Sequence, residues 1–133
     1  MEHARLATWI DLYEQAWRSP GTDWLEYLFA PEATYSMEPF EPPVTGLDAI
    51  AELWERERAS HDEVFRMESE IVAVEGDTGV VRVEVTYGDP VKRHYRDLWV
   101  VRLDDEGRCT SFEEWPFWPG KATHAPGAPA PDG

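Results

Sequence analysis

Asp97 is the residue whose setting most suggests chemistry. It sits in the stretch RHYRDLWVVRL, where strict alternation puts Tyr95, Asp97, Trp99, Val101 and Leu103 on one face. An ionised carboxylate buried on such a face is costly, so the site demands a bound proton, a partner or a ligand. Desolvation raises the pKa of such a group, which can then accept a proton near neutrality or hold one and donate it. Glu38 is a second candidate, pinned between a short extended run (Ala33 to Met37) and the rigid loop Pro39-Phe40-Glu41-Pro42-Pro43. Glu113 and Glu114 put one acid on each face of the last strand, and alternation alone leaves open which points inward. His61 falls between elements and His94 at a strand start, where it could line a cavity mouth. The four histidines (3, 61, 94 and 124) are too scattered for a metal motif, and no metal or other cofactor is expected. Cys109, the single cysteine, excludes an internal disulfide and fits an inert strand position.

The elements that must position these acids follow from periodicity. Leu6, Trp9, Ile10, Tyr13 and Trp17 recur at helical spacing, so residues 2–18 form a first helix with that stripe inward. Ser19-Pro20-Gly21 breaks the chain, and Thr22 or Asp23 caps a short second helix from Trp24 to Ala30. Pro31 should end that helix. Thr45 and Asp48 have the spacing of a capping box for a third helix from Leu47 to Ala59. From Val64 the period becomes two, and three turns (75–79, 88–90 and 104–107) separate four consecutive strands. Phe65, Met67, Ser69, Ile71 and Ala73 share one face of the first, and Val81, Val83, Val85 and Tyr87 one face of the next. The third strand is His94 to Leu103 and the last Cys109 to Trp118. The expected organisation is one domain over 1–118 and a mobile Pro/Ala/Gly-rich tail over 119–133.

Composition narrows the partners. A net charge of −15 argues against nucleic acid and anionic membranes, which require Lys/Arg clusters. No apolar run is long enough to span a bilayer and no leader pattern is present, so a cytoplasmic location is expected. Seven Trp, five Tyr and five Phe supply large, rigid walls for a ligand cavity. The residues expected to contact a ligand are Trp17, Tyr35, Phe40, Trp54, Tyr87, Trp99 and Trp115.

Three helices followed by a curved antiparallel meander make an α+β cone around an apolar cavity. Over about residues 5–118 the chain resembles the nuclear-transport-factor-2-like superfamily, in its SnoaL-like branch. The carriers are the Tyr13/Trp17 helix, FAPEATY, the Pro-Phe to Pro-Pro to Gly turn into AIAELW, and RDLWVVRLDDEGR before the final aromatic strand. Resemblance to the steroid-isomerase members implies catalytic roles for three residues. Tyr13 and Asp97 would donate hydrogen bonds to a developing enolate, and Glu38, preceding Pro39, would shuttle the proton. A Glu stands where those members have Asp, one residue further from the FAPEA segment. The Asp/Arg/Asp set of the epoxide-hydrolase members is not matched by Arg96 and Asp97, which are adjacent and so face opposite sides of a strand.

The resulting expectation is a cofactor-independent isomerase or cyclase that binds an apolar small molecule and moves a proton next to a carbonyl. The alternative is a non-catalytic binding or dimerisation module of the same fold. A homodimer is expected through the outer sheet face, where Val72, Leu98 and Val100 lie among charged residues.

Overall fold

The stripe on the first helix packs as its spacing requires. In the computed structural model, which describes residues 1–58 and 64–120, helix α1 spans His3–Arg18 and buries Leu6, Trp9, Ile10, Tyr13 and Ala16. Ser19 ends it, donating its backbone N–H and its hydroxyl to carbonyls of the last turn. Helix α2 is a single turn, Leu25–Leu28, tied to α1 by the Trp9 indole N–H, which donates to the Leu28 carbonyl at 2.9 Å.

Strand β1 runs Phe29–Ser36, four residues earlier than the expected start at Ala33. Pro31 therefore lies inside a strand. It is tolerated because the pairing of β1 breaks between Phe29 and Thr34, where no ladder bond is needed from it. Strand β2 is the pair Val44–Thr45, antiparallel to β1. Thr45 is thus strand and the expected capping box does not form. Helix α3, Leu47–Glu57, has Gly46 as its N-cap with no side-chain cap, at a φ of 94° that favours glycine. It buries Ile50, Leu53 and Trp54.

The meander is β3 (Phe65–Glu75), β4 (Thr78–Tyr87), β5 (Arg93–Leu103) and β6 (Cys109–Phe117), each antiparallel to the next. Strand β1 joins β6 in parallel, giving the order β2-β1-β6-β5-β4-β3 in a curled sheet that does not close. Val81, Val83, Trp99, Val101 and Phe112 line its concave side against the helices. A bulge in β3 between Ile71 and Ala73 turns Ala73 outward and brings Val74 to the core instead. His61 and residues 121–133 of the expected tail lie outside the described residues.

Candidate functional site

The open end of the cone holds a cavity of about 430 Å³. Helix α1 brings Tyr13 and Trp17 to it, α3 Leu53, Trp54 and Glu57, and β1 Tyr35, with Met37 and Glu38 just beyond that strand. The meander supplies Phe65, Met67, Val85, Tyr87, Arg93, Tyr95, Asp97, Trp99, Glu114 and Pro116, and Trp118 follows. All three expected catalytic positions (Tyr13, Glu38 and Asp97) and five of the seven expected contact residues (Trp17, Tyr35, Trp54, Tyr87 and Trp99) therefore face one space.

Two contact residues are placed elsewhere. Phe40 is 97% exposed, because the Pro-rich loop turns away from the cone and leaves its ring in solvent. Trp115 stands opposite Leu98 on the outer face, beside a shallow groove shared with Val100, Arg102 and Glu113. The cause is a bulge in β6: Leu103 pairs with Cys109 but Arg102 pairs with Ser111, so two residues oppose one. Inward parity passes from Cys109 to Phe112 and Glu114. That resolves the Glu113/Glu114 alternative in favour of Glu114.

Glu114 is the centre of the site. Tyr35 donates to its Oε2 at 2.8 Å and Tyr13 approaches the same oxygen at 3.4 Å. The carboxyl opens onto the cavity, so the residue keeps intermediate exposure, yet the walls deny it bulk water. Desolvation, followed by the negative charge of Asp97, lifts its pKa from an ordinary 4.5 to about 8, against the opposing hydrogen bond from Tyr35. Asp97 is the one buried charged residue among the described residues. Its cross-strand partner is Pro116 while Trp99 opposes Glu114, so the two acids are diagonal neighbours on the concave face. Burial and the adjacent Glu114 also raise the pKa values of Tyr13 and Tyr35 well above 10, keeping both phenols as neutral donors.

The rim carries the remaining polar groups. Glu38 is exposed there, as is Glu57. The Trp17 indole donates to the Tyr87 hydroxyl at 3.2 Å, joining α1 to β4 across the mouth. Arg93 lies with its guanidinium carbon 4.5 Å from the Tyr87 ring centre. Arg96 points outward, as its adjacency to Asp97 requires, but Arg93 shares the inward parity of Asp97 and does reach the cavity. His94 is paired with Glu84 at 2.8 Å and is not part of the lining. Cys109 is buried with its thiol pushed up to about 12, which makes it inert. With four carboxyls and a guanidinium among the described residues, the lining is more polar than the apolar cavity expected from the sequence. Among the described residues no group of three or more His, Cys, Asp or Glu is arranged to hold a metal, and no helix is long and apolar enough to cross a membrane.

A curled sheet wrapped by helices, with acids and phenols converging inside it, defines an α+β cone of the nuclear-transport-factor-2-like kind. The chain belongs to the SnoaL-like domain family, whose sequence profile matches residues 9–112. Among solved structures it is similar to a candidate polyketide cyclase from Sinorhizobium meliloti, with 25% identity, a TM-score of 0.60, and coverage of 80% of this chain and 93% of that one. A candidate ketosteroid isomerase from Kribbella flavida shares the fold at 18% identity and a TM-score of 0.63, covering 93% and 82%. So does an LEH-like epoxide hydrolase of M. tuberculosis, at 15% identity and a TM-score of 0.62, covering 86% and 84%. No curated protein matches the chain.

Proposed function

We propose that the cavity binds a small molecule and transfers a proton next to its carbonyl group, in an isomerisation or an aldol-type cyclisation that needs no cofactor. The observation that carries this reading is the Glu114 carboxyl, held by two tyrosines beside Asp97 inside a cavity large enough for a ligand. With a pKa near 8, Glu114 carries a proton at neutral pH. Both tyrosines lie on Oε2, so Oε1 is the oxygen to donate that proton towards a ligand carbonyl. Asp97, whose negative charge helps to keep the proton on Glu114, is the base that takes the α-hydrogen. The C–H electron pair becomes the enol double bond as the carbonyl oxygen receives the Glu114 proton, and net charge in the cavity is unchanged. Glu38, on the rim, is the rival base.

Hydrogen–deuterium exchange at the α-carbon of a bound cyclic ketone tests this without knowledge of the natural substrate. Asp97→Asn and Glu114→Gln should each slow exchange by about 10²–10⁴-fold, the usual worth of general acid–base catalysis, and Glu38→Gln by much less. Loss of exchange in Glu38→Gln alone would move the base to the rim. A wild-type protein that binds the ketone without exchanging it would be a binding module.

The same reading includes a homodimer formed through the outer sheet face. Leu98 and Val72 are 38% and 47% exposed there, beside Trp115 and the Arg82–Glu70 ion pair, and these apolar side chains on one sheet face support the reading.

A further inference from the structure

The cavity has a charge imbalance that an enolising site does not need. Among the described residues, Glu38, Glu57, Asp97 and Glu114 line it against one guanidinium, that of Arg93. Even with a proton on Glu114, three carboxylates face one cation. Much of the remaining wall is aromatic, with Trp17, Trp54, Tyr87, Tyr95 and Trp118 among the lining residues. Ring faces carry negative partial charge and attract cations within about 6 Å, most strongly where water is excluded. One such wall already carries a cation, since the Arg93 guanidinium lies over Tyr87. Outside the cavity, the net charge of −15 draws cations towards the surface and repels anions from it.

We propose that the ligand of this cavity is an apolar molecule bearing a positively charged amine, its ring system against the tryptophans and tyrosines and its cation among the carboxylates. This deepens the function proposed above, resting on the same cavity and adding the charge of the molecule that enters it. Carboxylate, phosphate and sulfate ligands would meet three like charges for each favourable one, so discrimination against them is built into the walls. A neutral ligand would fill the space without using the field.

Three probes of one size separate these cases by calorimetry at pH 7: benzyltrimethylammonium, its uncharged carbon isostere neopentylbenzene, and the anion phenylacetate. The ammonium should bind at least tenfold more tightly than neopentylbenzene and be displaced by it, which places both in one cavity, while phenylacetate should bind most weakly. Glu38 and Glu57 are exposed at the rim, so Glu38→Gln with Glu57→Gln should leave the fold intact. That double variant should lower the ammonium affinity at least threefold and leave neopentylbenzene unchanged. Equal or tighter binding of neopentylbenzene overturns the amine proposal, as does preferred binding of phenylacetate or an ammonium that neopentylbenzene fails to displace. Absence of binding by all three overturns it as well. The proton-transfer reading fails separately, since ketone exchange is measured on a neutral ligand. Persistent exchange with no ammonium preference would remove the amine and keep the chemistry.

Discussion

The hydroxyl of Tyr35 on β1 and the carboxyl of Glu114 on β6 meet at 2.8 Å across the one parallel strand pair of the sheet among the described residues. Parallel pairing sets Tyr35 beside Phe112 and Ser36 beside Glu113, so the long phenol reaches forward along its neighbour to the acid. Several consequences of that contact can be measured.

Glu114 should make the protein less stable as pH rises. Its folded pKa of about 8 lies above the ordinary 4.5. Between those values the folded chain keeps a proton that the unfolded chain has released, so stability falls through that window. The stabilisation present below pH 4.5 and lost by pH 8 is on the order of a few kcal/mol. Glu114→Gln cannot ionise and should flatten the curve. Calorimetry should find the variant melting several degrees above the wild type at pH 8.5, with the gap closing towards pH 4.5. Parallel curves would mean that Glu114 titrates normally.

Tyr35 and Tyr13 should differ in their hold on this acid. Tyr35 is the closer donor and the stronger of the two in stabilising the ionised form. Tyr35→Phe should therefore raise the Glu114 pKa more than Tyr13→Phe does. The Tyr35 change should also cost about 1–3 kcal/mol of stability above pH 8, where it removes a hydrogen bond to a charged group. Titration of the carboxyl stretch by infrared difference spectroscopy reads both shifts, and a larger effect from Tyr13→Phe would reverse the assignment.

Gly79 is a packing position, although its surroundings in sequence look like a turn. It is buried in β4, and a β-carbon there would lie 2.4 Å from Cδ2 of Leu6, itself fully buried on α1. Gly79→Ala should cost about 1–3 kcal/mol through overpacking. A neutral result in urea denaturation would show that α1 can shift along the sheet.

The outer face should carry the dimer. Sedimentation at micromolar concentration should give a species twice the 15.3 kDa of one chain, and Leu98→Arg should halve it. Because charged residues share that face, raised salt should weaken the association. A wild-type species near 15.3 kDa would end the idea.

The helical stripe at Leu6, Trp9, Ile10 and Tyr13 and the alternation in β4 and β5 were legible because each is one unbroken period with a single buried side. The placement of Asp97 followed from that alternation. Glu114 was not legible, because one extra residue in β6 reverses every later side chain, and counting from the buried Cys109 would have turned Glu113 and Trp115 inward. The bulge in β3 hid Val74 for the same reason. Phe40 misled because aromatic character says nothing about which way a proline-stiffened loop leaves the domain. The apparent cap at Thr45 failed because Tyr35 and Thr34 already claimed Val44 and Thr45 as strand partners.

The pairing of β1 with β6 also ties the site to the order in which the chain leaves the ribosome. Tyr35 and Glu114 are 79 residues apart, and Tyr13 and Glu114 are 101 apart. Two phenols made early must stay without their acid until almost everything described here has been synthesised. Contacts of such separation form late, after the local helices and hairpins. A chain cut short in the β5–β6 turn would hold the helices and three hairpin-linked strands, with one edge of β1 unpaired and no Glu114. The activity proposed for the cavity would then require the final strand, and its onset would serve as a clock for the docking of β6.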